Sequence, residues 1–294
     1  VATGVASGAL SAAVVEAAPA ARKRLGAMIT SVSPLAGLAL GALLTGVAVK
    51  FSLQPVMLVF GVLAVVFALG AAVVLWMPET VTPRAGALAS LVPRVSIPAQ
   101  ARAEFARGLP VFVVVWALGG LYLSLAPSLM LHVFGIDNGV VNGLTVAVLS
   151  GMGAIAPTLL ARFAAPKPVI LGMASIAAGL VLLLASLATR SLALFFVGTA
   201  VAGLGFGGAF SALVPTRAPV AQSQERGGLF AAIFVVSYLA FSLPAMLAGF
   251  LVAPLGLLNT TEGYAAVLLL IAAFGVWNQW AGLRRRSREL PVSE

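Results

Sequence analysis

Residues Pro78 to Gly108 read PETVTPRAGALASLVPRVSIPAQARAEFARG, and this stretch decides how the rest of the chain is read. It carries four arginines, four prolines and two glutamates. No other stretch between the first and last apolar runs is both this long and this polar. On either side lie uncharged apolar runs of about 20 residues, the length an α-helix needs to cross a bilayer. Composition agrees, since 61% of the 294 residues are hydrophobic and only 9% are charged. Mean hydropathy is +1.12. A water-soluble domain carries about a quarter charged residues. So few charges cannot cover a water-facing surface, so lipid must solvate most of this one.

Charges bracket the runs. Val1 to Val15 is apolar, short for a crossing, and ends at Glu16. Whole spans are expected at Leu25 to Val49, Pro55 to Met77, Leu109 to Leu131, Gly139 to Ala161, Pro168 to Thr189, Leu192 to Pro215, Gly227 to Leu251 and Gly263 to Leu283. The runs are continuously apolar and lack the two-residue alternation of a membrane β-barrel. The expected fold class is therefore an all-α polytopic membrane protein, with eight full transmembrane helices and a partial one at the start. No basic segment precedes Val1 to Val15 as it would in a signal peptide, so the chain is expected to begin within a membrane helix.

The positions of the basic residues give an orientation. With the long polar loop in the cytoplasm, alternate connections collect fifteen of the 17 Lys and Arg residues, and only Lys50 and Arg190 fall on the other side. This asymmetry is the positive-inside signature. It places the C-terminus, with Arg284, Arg285, Arg286 and Arg288, in the cytoplasm, and the protein in the inner (plasma) membrane. The net charge of +9 is thus topogenic, and no nucleic-acid partner is expected. The chain has no cysteine, which excludes disulfides, thiolate metal sites and thiol nucleophiles. No metal-ligand cluster or nucleophile–base pair has workable spacing. The glycines of Gly203 to Gly208 lie inside a span rather than after a strand, so they do not form a phosphate loop. Neither an enzyme nor a cofactor is expected.

Small residues inside the spans let helices approach closely. Gly37 and Gly41 follow Pro34, and Gly203, Gly205, Gly207 and Gly208 crowd a later span. Pro34, Gly37, Gly41, Gly203 and Gly207 are the expected positions for helix packing and for conformational change.

Three spans, a long basic loop and six further spans resemble the major facilitator superfamily. Val1-Ala-Thr-Gly4-Val-Ala-Ser-Gly8 resembles the tail of that family's fourth-helix motif. Ser33-Pro34-Leu35-Ala36-Gly37, with Gly41, resembles the fifth-helix Gly-Pro-x-x-Gly-Gly motif of drug/proton antiporters, from which Ser33 and Leu38 depart. Pro78-Glu79-Thr80 is similar to the family's sixth-helix ending, whereas Arg162 to Lys167 lacks the aspartate of the family's loop motif. The resemblance implies two helix bundles related by an axis along the membrane normal. Residues 1–77 would be helices four to six of the N-terminal bundle and 78–108 the cytoplasmic inter-bundle loop. Residues 109–283 would be the complete C-terminal six-helix bundle and 284–294 a basic tail. Three further helices are expected to precede Val1. It also implies a secondary transporter of small organic molecules, working by alternating access as a proton-coupled exporter, with the substrate, protons and the lipid bilayer as its partners. A permease subunit of an ATP-driven transporter and a non-transporting membrane protein are the competing readings.

In the family, the first, fourth, seventh and tenth helices line the substrate cavity. Carried onto this chain, the cavity candidates are Ser7 and Ser11, Trp116, Gly120 and Ser124, and Phe206 and Phe210, each set at helical spacing. Tyr238, flanked by Ser237 and Ser242 in the eleventh helix, joins them. Tyr122, Trp76, Trp277 and Trp280 lie toward span ends and are expected to be interfacial anchors. His132, the single histidine, also sits at a span end, where a bystander role is expected. No Asp, Glu, Lys or Arg falls centrally in a span, so coupling residues are expected in the helices before Val1. An uncharged aromatic lining suits an apolar or weakly cationic solute better than a phosphorylated or dicarboxylate one.

Overall fold

The computed structural model describes residues 10, 13–14, 23–76, 95–160, 162–163, 167–217 and 226–289. Ser7 and Ser11, and most of the Pro78–Gly108 loop, lie outside them. Eight long helices follow in order: α1 (Lys23–Phe51), α2 (Pro55–Trp76), α3 (Arg102–His132), α4 (Gly139–Leu160), α5 (Lys167–Thr189), α6 (Leu192–Arg217), α7 (Arg226–Leu255) and α8 (Leu257–Glu289). All eight are long and apolar enough to cross a membrane. Helix is the element these runs must form, because hydrocarbon offers no water to satisfy an open backbone.

Two expected boundaries differ. The long loop ends earlier than Gly108, because a 3-10 turn at Ala99–Ala101 leads directly into α3 at Arg102. Glu104 sits in the first turn of α3 and pairs with Arg107 at 2.8 Å. The break between the last two helices is a single residue, Gly256, at φ +81°. The residues Asn259 to Glu262 fall between the expected spans, yet they lie in the first two turns of α8. Three polar side chains bond back to the backbone four residues earlier: Asn259 Nδ2 to the Leu255 carbonyl at the end of α7 at 2.9 Å, Thr260 Oγ1 to Gly256 at 2.8 Å and Thr261 Oγ1 to Leu257 at 2.7 Å. Such side chains need no water, so their polarity does not mark a loop.

Helix directions follow from which residues meet. Along α3 and α6, Tyr122 meets Thr199 while Phe112 meets Phe210, so these two run antiparallel. Trp116 meets Tyr238 and Gly120 meets Phe241, so α3 and α7 run parallel. Gly203 approaches Leu149 and Gly207 approaches Gly153, making α4 and α6 parallel, whereas Gly179–Ala202 and Gly172–Ala209 make α5 and α6 antiparallel. Tyr264 meets Ala117 and Gln279 meets Arg107, making α3 and α8 antiparallel. Among these pairs, odd-numbered helices run one way and even-numbered ones the other, as successive membrane crossings require. The charge pattern becomes spatial as a result. Lys23, Arg102, Arg107, Arg162, Lys167, Arg217, Arg226 and Arg284 gather at one end of the bundle, and Lys50 and Arg190 at the other.

The core is built around α3. Val111, Phe112, Leu118, Leu121, Tyr122 and Leu129 on it are buried, and α6, α7 and α8 pack around it. Pro110 breaks the hydrogen-bond ladder near the start of α3. One turn earlier, Gln279 Nε2 from α8 donates to the Arg107 carbonyl at 3.0 Å. The carbonyl that loses its helical donor to Pro110 is that of Ala106, so this bond ties α8 to the turn beside the break rather than replacing the missing bond.

The glycines of α6 explain its density of small residues. A Cβ on Gly203 would sit 2.5 Å from the Leu149 carbonyl oxygen of α4, and one on Gly207 would overlap the backbone of Gly153. Gly205 faces the opposite neighbour, against Gly172 and Ile176 of α5. Ala202 and Ala209 continue that second seam, and Ser175 Oγ donates across it to the Val201 carbonyl at 2.6 Å. One helix therefore brings its backbone close to two others.

In the first block, α1 packs against α4 and α2 touches α1. Gly37 and Gly41 do not make the contact. A Cβ at either would meet no described atom within 4 Å, and Pro34 is exposed. The close approach is one to three turns further on, where Gly46 faces the Gly139 carbonyl and Gly143 would bring a Cβ to 2.5 Å from the Ala42 carbonyl oxygen. A Cβ on Gly151 would lie 3.9 Å from that of Ala39, within the ~3.5–4.5 Å that a disulfide spans. The pair Ala39→Cys and Gly151→Cys is therefore expected to cross-link on oxidation in this cysteine-free chain. Adding Gly46→Val should remove most of that cross-link by forcing α1 off α4. Undiminished cross-linking would show that the Gly46 contact does not set the seam.

Candidate functional site

The site is assembled from aromatic residues at helical spacing on three helices. Phe112 and Trp116 are four apart on α3, Phe206 and Phe210 four apart on α6, and Phe234, Tyr238 and Phe241 recur every three or four residues on α7. Parallel and antiparallel packing brings these stripes to one level. Trp116 is the hub. Its ring centroid lies 5.3 Å from Tyr238, 5.9 Å from Phe210 and 6.5 Å from Phe241, with the two phenylalanines edge-on at 79° and 84°. Phe210 continues to Phe112 at 6.1 Å, and Phe234 stacks on Tyr238 at 6.3 Å. Edge-on and offset pairs at these distances place the positive rim of one ring on the negative face of the next. Toward the basic end, Ala101, Glu104, Phe105, Phe112, Leu229 and Ile233 line a narrow cleft.

Among the described residues no carboxylate, ammonium or guanidinium lies at the level of Trp116. Described charged residues occupy connections or the first or last two turns of helices. Described groups of three or more metal-ligating side chains are absent as well. The Trp116 indole N–H is buried and has no hydrogen-bond partner among the described residues. On the same three helices, Ser124 Oγ donates to Gly120 at 2.7 Å, Ser211 Oγ to Gly207 at 2.6 Å and Ser242 Oγ to Tyr238 at 2.8 Å, each to its own helix, whereas the buried Ser237 Oγ has no partner among the described residues. Tyr238 forms the outer wall, 53% exposed.

The sequence-based candidates divide accordingly. Trp116, Phe210 and Tyr238 meet, and Phe206 lies beside them, 3.4 Å from where a Cβ on Gly119 would stand. Gly120 is instead buried in helix packing, where a Cβ would come within 2.6 Å of the Phe241 carbonyl oxygen. Ser124 spends its proton within its helix. Phe112, Phe234 and Phe241 were missed, although their spacing from Trp116 and Tyr238 was visible in the sequence. Tyr122 differs most from expectation. It is no interfacial anchor but a fully buried residue, bonded to Thr199 Oγ1 at 3.0 Å and packed on Phe195. The exposed Trp76, Trp277 and Trp280 lie on outer helix surfaces. His132 Nδ1 lies 3.1 Å from the Ser128 carbonyl oxygen, in the last turn of α3.

These features define a multi-pass helical membrane protein with an uncharged, partly exposed aromatic cluster shared by three of its helices. No protein-family model and no curated protein matches the chain.

Proposed function

We propose that the chain is part of a secondary transporter of the major facilitator type, which moves small organic molecules by alternating access and couples their efflux to protons. The observation that carries this reading is the meeting of Trp116, Phe210 and Tyr238, from three helices of a bundle of alternating direction, with no described charged residue beside them. A membrane protein has no need to concentrate aromatic side chains against one another in order to stay in lipid, because lipid solvates them equally well. Their convergence near the middle of α3 and α7 suits a path for apolar or amphipathic solutes. The resemblance of the span pattern, the long basic loop and the Ser33-Pro34-Leu35-Ala36-Gly37 motif to the family supports the same reading. In this reading the basic end faces the cytoplasm of the plasma membrane, by the positive-inside rule. The seam between α1 and α4 becomes the contact between two blocks that rock about the site.

The test is transport. Everted membrane vesicles carrying the full encoded protein should accumulate an amphipathic aromatic dye when a proton gradient is imposed. Collapsing the gradient with an uncoupler should stop accumulation. Movement indifferent to the gradient would sink the coupling, and no protein-dependent movement of any such dye would sink the transporter reading.

A further inference from the structure

We propose that the Trp116 indole N–H is the recognition donor of this site, and that it selects solutes carrying a neutral acceptor, such as a ketone or ether oxygen, on a flat apolar ring. The inference rests on reading the aromatic cluster as a solute path. Buried polar groups in native proteins are almost always hydrogen-bonded, and one without a partner calls for an explanation. In the hydrocarbon region such a group must find its partner in the protein or in whatever occupies the site. Trp116 Nε1 is such a group, at the hub of the aromatic cluster, between Phe210, Tyr238 and Phe241. Indole offers a donor and no acceptor, so its partner must accept. The hydroxyls of Ser124, Ser211 and Ser242 donate to backbone carbonyls, and although their oxygens could still accept, none is bonded to the indole.

The surroundings define the rest of the ligand. Rings meeting edge-on and tilted around the indole leave faces and rims that suit a flat apolar body. No described carboxylate stands beside them to reward a cation or to pair with an ammonium group. The exposed Tyr238 ring packs on the indole at 5.3 Å between centroids and forms the outer side of the cluster. A site that hydrogen-bonds its ligand rejects the analogue lacking the acceptor, because its own buried donor is then left unpaired.

The probes are 9-fluorenone, fluorene and tetraphenylphosphonium: one flat ring system with a neutral acceptor, the same ring system without it, and a permanent aromatic cation. The full chain, labelled with ¹⁵N at its four indoles, is placed in phosphatidylcholine nanodiscs. The Trp116 signal is assigned by its loss in Trp116→Phe. Should that variant not fold, removing the exposed Trp76, Trp277 and Trp280 one at a time assigns it by elimination. Fluorenone is expected to move the Trp116 N–H signal downfield saturably, and fluorene is not. Trp116→Phe should weaken fluorenone binding about two- to tenfold, the worth of one hydrogen bond, and leave fluorene unchanged. Equal responses to fluorenone and fluorene, no saturable response to fluorenone, or tighter binding of tetraphenylphosphonium than of fluorenone would each overturn the proposal. The two readings fail separately. A fluorenone-specific shift in a protein that moves no dye refutes the transporter, and gradient-driven dye movement without the shift refutes the donor.

Discussion

Gly207→Val should be among the most damaging single substitutions in this chain, costing about 3 kcal/mol or more of stability. The reason is geometric. The α-carbon of Gly207 rests on the backbone of Gly153, so a side chain there overlaps backbone rather than the end of a flexible side chain. Neither helix can yield alone. Gly205 holds the other side of α6 against Gly172 and Ile176 of α5, so moving α6 off α4 also disturbs that second seam. The variant should fail to accumulate in membranes, or should unfold at a clearly lower temperature in detergent when followed by far-ultraviolet circular dichroism. Gly37→Ala and Gly41→Ala supply the contrast. Both positions are open among the described residues, and alanine favours helix over glycine by up to ~1 kcal/mol. These two variants should melt at or above the wild-type temperature. If Gly207→Val melts with them, close backbone approach does not govern α6.

Tyr122→Ala should cost about 3–5 kcal/mol, as expected for deleting a fully buried aromatic ring that cannot be replaced by collapse of rigid helices. The ring packs on Phe195, which in turn contacts Phe134 and Phe196, so the vacancy would open in the centre of an aromatic group. Tyr122→Phe separates ring from hydroxyl. It removes the bond to Thr199, whose own hydroxyl still donates to the Phe195 carbonyl at 2.7 Å, so the loss should be only about 1 kcal/mol. Denaturation of the three proteins in mixed micelles with increasing dodecyl sulfate should rank them wild type, Phe, Ala, with the large step between Phe and Ala. A Tyr122→Ala protein as resistant as wild type would return this residue to the lipid boundary, where its sequence position alone had put it.

These two residues show where sequence reading reaches and where it stops. Gly203 and Gly207 could be marked for packing because glycine inside a lipid-facing helix has few other uses. Gly37 and Gly41 carry the same small-residue signature, yet the close contact lies at Gly46, because spacing identifies a face without saying which helix lies against it. Tyr122 is similar. Its distance from the span end suggested an anchor, but depth along a helix says nothing of which way the side chain points. The aromatic cluster was half legible. Trp116, Phe206, Phe210 and Tyr238 could be proposed from helix position and spacing. That Phe234 and Phe241 complete the group depends on α3 and α7 running parallel in register, and that Phe112 does depends on α3 and α6 running antiparallel, which places residues about a hundred positions or more apart at one level.

Two quantities that need no partner were fixed by the chain alone: the length of each apolar run and the sign of the charges between runs. Hydrocarbon forces every such run to close its hydrogen bonds within itself, so length and hydropathy already specify eight helices, and alternating charge already sorts their ends. The helix ends were less secure wherever polar side chains could bond to their own backbone, as at Asn259, Thr260 and Thr261. Tertiary structure alone decided which helix faces meet. In lipid, apolar faces gain little from leaving one apolar surroundings for another, so hydrophobicity cannot choose between them. The choice falls to close backbone approach at Gly46, Gly203, Gly205 and Gly207, and to hydrogen bonds such as Tyr122 to Thr199 and Tyr264 to Ala117. Both depend on two helices being in register, and that register is not written in either helix alone.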